Sequence, residues 1–178
     1  MRYAKTALAV LLICLCLPCL CAAQGIEIGA LAPLEMAAEE NAQTLALYCG
    51  PTQGFYRHGD QALDTGKPFV VFGQHDCWAM AAQGTADAFG PVGWVEAGSI
   101  DDIPYDPQLT FDDGLQVTVE DAAILTNDPM NADADVIVRV VPGTVVMLLA
   151  AYDGWAYIQA EFADMPPVRA FIPMSAIE

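Results

Sequence analysis

The sequence predicts an all-β protein built as two small barrels in tandem, and three observations predict it. After residue 23 no stretch keeps the 3.6-residue apolar stripe of a helix. Short runs dense in Val, Phe, Leu and Trp recur instead, each bounded by turn residues. The second half of the chain also repeats the first at an offset of 77 residues, with a single one-residue slip.

Residues 1–23 read as an export signal. Arg2 and Lys5 give a basic start, 7–17 is an unbroken apolar run, Pro18 breaks it, and Cys21-Ala22-Ala23 offers a cleavage site before Gln24. An uncleaved anchor is the alternative, though the run is short for a membrane span. Cleavage removes two basic residues and no acid, taking the charge from −17 to −19. It also leaves Cys49 and Cys77 as the two remaining cysteines, either a disulfide or two buried thiols. Residues 24–43 follow, with Ala, Glu and Met but no caps, as a short helix or a tail.

The first unit is expected over 44–100, the second over 115–178, with 101–114 an acidic, proline-containing and fairly stiff linker. In each unit an apolar pair enters a turn closed by proline, Ala46-Leu47-Tyr48-Cys49-Gly50-Pro51 and Ile124-Leu125-Thr126-Asn127-Asp128-Pro129. After a loop, a glycine (Gly66, Gly143) precedes an apolar strand, Phe69 to Phe72 or Val145 to Leu149. A polar turn then returns the chain into a strand opened by Trp78 or Trp155, and the unit closes on Gly93-Trp94-Val95 or Ala170-Phe171-Ile172.

In that order, Ala46-Leu47-Tyr48, Gly59-Asp60-Gln61-Ala62-Leu63, Gly66, Trp78 and Gly93-Trp94-Val95 resemble an SH3-like domain of the bacterial, extracellular kind. Gly143, Asp153-Gly154-Trp155 and Ala170-Phe171-Ile172-Pro173 are similar. The resemblance implies two tandem small SH3-like barrels behind a signal peptide, without catalysis. It implies an aromatic groove for extended peptides, which maps onto Tyr48 and Trp78 with Phe55 and Tyr56 in the first unit, and onto Trp155 with Pro173 in the second. Phe171 and Ala170 depart from the usual Trp and Gly, and Thr126 stands where the first unit has Tyr48. Trp78 and Trp155 each read either as a stacking platform or as a half-buried cover for the core, whereas Trp94 and Phe171 read as core.

Other chemistry is weakly represented. Asn131, Asp133 and Asp135 have the odd spacing of a calcium loop, but Val136 and Pro142 occupy the positions needing glycine and glutamate, so an EF-hand is excluded and a solvated acidic loop is the plainer reading. Cys49 and Cys77 with His58 and His75 raise a thiol hydrolase, against which stands the placing of both cysteines at strand ends inside the repeats. No cofactor is expected. With 6 Lys+Arg against 23 Asp+Glu, nucleic acid and anionic membranes or polymers are excluded as direct partners. The expectation is a secreted or cell-wall-associated module that binds cell-wall peptide or a surface protein. A structural subunit of a secreted enzyme is the alternative.

Overall fold

A computed structural model describes residues 28–101, 103, 111 and 114–177. The expected signal over 1–23 lies outside the described residues, as do 102, 104–110 and 112–113 of the linker. The protein is all-β. Among the described residues the only helical turns are three 3-10 turns, and no helix is long and apolar enough to cross a membrane.

Among the described residues thirteen strands form three sheets. In chain order they are β1 (Gly29–Ala30), β2 (Leu34–Met36), β3 (Thr44–Ala46), β4 (Ala62–Asp64), β5 (Phe69–His75), β6 (Trp78–Thr85), β7 (Ala88–Glu96), β8 (Leu115–Thr118), β9 (Ala123–Thr126), β10 (Val136–Val140), β11 (Val145–Tyr152), β12 (Trp155–Phe162) and β13 (Met165–Pro173). One sheet runs β2-β5-β6-β7, β3 pairs with β4 alone, and a seven-stranded sheet runs β1-β11-β12-β13-β9-β10 with β8 also on β11. All three sheets are open.

The repeat read in the sequence is a repeat of register. Met80 faces Trp94 across β6 and β7 as Tyr157 faces Phe171 across β12 and β13. His75 opposes Trp78 as Tyr152 opposes Trp155, and both β5 and β11 carry a bulge at the matching place, between Val71 and Gly73 and between Leu148 and Ala150. The turn residues Asp76 and Asp153 both take positive φ, 52° and 39°, a conformation that Asp tolerates better than most side chains. Ala97–Ser99 and Met174–Ala176 close the two repeats as 3-10 turns.

Two expectations about the segments flanking the repeats are corrected. Residues 28–43, the described part of the stretch before the first repeat, are neither helix nor tail. Here β1 pairs in parallel with β11 of the second repeat, and β2 pairs antiparallel with β5 of the first. Strands of two and three residues cannot sustain themselves, and both persist by satisfying the edges of sheets already present. Nor is the linker simply a spacer. Phe111 is buried in the same cluster as Trp94 and Tyr157, while Ile103 packs on the core of the first repeat.

Apolar side chains gather in three clusters. One lies inside the second repeat around Leu125, Ile158 and Ile172, and one inside the first around Leu63, Phe69 and Val95. The third joins them, bringing Phe72, Met80, Phe89 and Trp94 against Leu149, Tyr157 and Phe171. Its contacts are reciprocal. The Val92 N–H donates to the Asn127 carbonyl at 2.7 Å, and the Arg169 N–H, at the matching place in the second repeat, donates to the Cys49 carbonyl at 2.5 Å. Inside the interface the fully buried Trp94 indole donates to the Tyr157 hydroxyl at 2.7 Å. The two repeats therefore form one packed body.

Candidate functional site

The first repeat carries a surface groove of about 220 Å3. Trp78 reaches it because it opens β6 directly after the Asp76-Cys77 turn. Tyr48 reaches it because the chain beyond β3 bridges back to Trp94, each of the two residues donating its N–H to the other's carbonyl. Gly93 permits that approach, since a Cβ there would stand 2.7 Å from the Cβ of Leu47. The Tyr48 and Trp78 rings meet edge to face, 5.7 Å apart at 86°. Leu45, Ala46 and the buried Val95 add apolar surface, and Thr44, Gln53, Glu96 and Ser99 bring polar groups. An apolar slot with two partly exposed rings and a polar rim suits one or two residues of an extended chain.

Tyr48 and Trp78 are thus brought together as the sequence suggests, but Phe55 and Tyr56 are not part of this groove. Phe55 turns towards the second repeat, with the Arg169 guanidinium 5.7 Å from its ring and 5.6 Å from that of Trp94. Gly50 makes room for it, since a Cβ there would collide with the ring. Tyr56 packs on the core of the second repeat and donates its N–H to the Pro167 carbonyl at 3.0 Å. Both residues sit in a sequence-adjacent loop that folds across to the other unit, and nothing local in the sequence announces that. Conversely, Glu96 was overlooked. Register identifies it, because β6 and β7 pair Trp78 directly with Glu96.

In the second repeat Trp155 faces Pro173 in the same register, and Trp155 is half-buried against the shared core. The ring partner is missing: Thr126 replaces Tyr48 and is fully buried, with its hydroxyl accepting from the Asp128 N–H at 2.9 Å. Trp155 and Pro173 therefore stand together without the crossed ring pair of the first repeat.

The remaining candidates take structural places. Both cysteines are free thiols, Cys49 buried and Cys77 exposed at the β5–β6 turn, so the disulfide does not form. Burial pushes the Cys49 thiol up to about 12, a His58 backbone N–H offsets part of that, and the nearby Asp135 charge adds to it. Such a thiol is protonated at neutral pH and unsuited to attack. The His58 Nε2 lies 2.6 Å from the Asp135 Oδ1, and the Gln61 side-chain amide donates to the Asp135 Oδ2 at 2.6 Å. Asn127 in turn donates to the Gln61 Oε1 at 2.5 Å. Asp135, read as a candidate calcium ligand, instead ties the two repeats together. Among the described residues no group of three or more His, Cys, Asp or Glu is arranged to hold a metal.

A larger depression of about 670 Å3 lies where Val145, Met147 and Leu149 of the second repeat meet Gln159, Glu161 and Arg169, with His75 of the first repeat also on its wall. Phe111 and Gly114 border it, next to linker residues outside the described set. Compared with known proteins, the chain matches no family model, no curated protein and no solved structure.

Proposed function

We propose that this protein is an exported, non-catalytic binding module made of two SH3-like units, which takes extended peptide in the Tyr48–Trp78 groove. The observation that carries the reading is the crossed ring pair lining a surface slot on the first repeat only. Two further features support it. The repeat order of strands and closing 3-10 turn suits an SH3-like unit, and the buried, protonated Cys49 leaves no activated nucleophile beside His58. The net charge of −17 disfavours nucleic acid and anionic polymers, so the wall component recognised is peptide.

Co-sedimentation of the chain lacking residues 1–23 with polymer-stripped cell-wall sacculi, in calcium and in chelator, tests this. Pelleting in both, lost in Trp78→Ala and kept in Trp155→Ala, is the expected result. Pelleting that needs calcium or survives Trp78→Ala overturns it. A second reading, a structural subunit docked on a secreted protein, is favoured by one observation. Leu115, Val145 and Met147 are 41%, 53% and 37% exposed beside the larger depression. Absence of pelleting, with recovery of a stoichiometric protein complex from secretions, would select it.

A further inference from the structure

The groove has a chemical bias that its aromatic pair alone does not explain. Glu96 is the one charged residue among those lining it. In the antiparallel β6–β7 ladder Glu96 stands directly opposite Trp78, which puts both side chains on the same face of the sheet with their Cβ atoms about 5 Å apart. Backbone register thus places Glu96 beside Trp78, and both residues line the groove. Glu96 is exposed, and among the described residues the ion pairs are His58–Asp135, Lys67–Asp64 and His75–Asp76, none of which uses it.

A carboxylate next to a partly exposed indole is a recognition pair for a cation. The ring face attracts positive charge through its quadrupole, and the carboxylate accepts a charge-assisted hydrogen bond. The second repeat supplies an internal contrast. Its Trp155 stands opposite Pro173, so the same register there delivers an indole without a carboxylate. The strongly acidic chain favours the same sign of ligand at longer range.

We propose that the Tyr48–Trp78 groove selects peptides carrying a cationic side chain, an ammonium or a guanidinium, seated on the Trp78 ring against Glu96. This rests on the peptide reading above and adds the class of peptide. Thr44, Gln53 and Ser99 line the same slot and offer hydrogen bonds to the backbone of the bound segment.

The test uses the chain lacking residues 1–23 and three fluorescent hexapeptide pools, identical except for a fixed central lysine, Nε-acetyl-lysine or norleucine. By fluorescence polarisation the lysine pool binds about 3- to 30-fold more tightly than the other two, as expected for one cation–π contact with a charge-assisted partner. That advantage disappears in Glu96→Gln, whose exposed position leaves the fold intact, and shrinks as salt is raised. Trp78→Phe keeps part of the binding and Trp78→Ala removes it for all pools. Equal binding of the three pools, or a preference untouched by Glu96→Gln, overturns the cation selection. If such equal binding is still lost in Trp78→Ala, the peptide groove stands and only its selectivity falls. If no pool binds, both readings fall together.

Discussion

The two repeats share their backbone register closely and their surfaces hardly at all. On the face of β5 that enters the shared cluster, Val70 of the first is fully buried; the matching Met147 of the second is 37% exposed. The first seals that face with Phe72, Phe89 and Tyr152, whose rings lie 5.1 to 6.3 Å apart, Tyr152 coming from the second repeat's hairpin. The residue matching Tyr152 is His75, and the residue matching Phe89 is Pro166, so the second repeat keeps a depression where the first is packed. At the groove the inequality is reversed. Tyr48, Trp78 and Glu96 make a site where Thr126, Trp155 and Pro173 do not. Register is dictated by turns and bulges that both copies retained, whereas each face is free to change once the shared core holds the pair together.

The largest expected effect tests whether that shared core makes one cooperative body. Trp94→Ala should cost about 3–5 kcal/mol, the usual range for truncating a buried aromatic. Phe171→Ala should cost a similar amount, and each variant should unfold in a single calorimetric transition. Separate transitions for the two halves would break the picture of one body.

Tyr157→Phe comes next. It leaves the Trp94 indole N–H buried without its partner, so about 1–3 kcal/mol should be lost in denaturant melts. The matching position in the first repeat is Met80, which has no such bond, and Met80→Leu should cost less than about 1.5 kcal/mol. Equal losses would show that the hydrogen bond contributes nothing specific.

A pH series sharpens the contrast between Cys49 and Asn127, its counterpart. In the unfolded chain the Cys49 thiol ionises near its ordinary value of 9.0, whereas the folded protein holds its proton up to about 12. As pH rises through that window the unfolded state loses its proton first, so stability falls. Cys49→Ala should flatten this part of the decline, leaving that due to Tyr157, whose hydroxyl burial also raises. The smallest effect is a difference in labelling. At neutral pH iodoacetamide should modify Cys77 in the folded protein and Cys49 only after unfolding, as peptide mass mapping would read.

Much of the repeat was legible because glycines, prolines and tryptophans punctuate both copies in step. The resemblance that this order carries is what implied Tyr48 beside Trp78. The strand at Leu34–Met36 was not legible, since three residues rich in helix formers carry no period of their own and take their shape from β5. Phe55 and Tyr56 were misassigned for a related reason. Their partners, Arg169 and Pro167, lie more than a hundred residues away, and no local pattern encodes packing between two units. Glu96 is recoverable by following the hairpin pairing two residues past Trp94.

The short strand β1 has a consequence in time. Gly29 pairs with Ala150 and Ala30 with Ala151, so one of the earliest parts of the chain waits for one of the last. Closing so long a loop is entropically slow, and chains dominated by such distant pairings fold in milliseconds to seconds, not microseconds. A chain made from its N-terminus has β1 unpaired until β11 has followed, so the seven-stranded sheet gains this edge only when the last hairpins are in place.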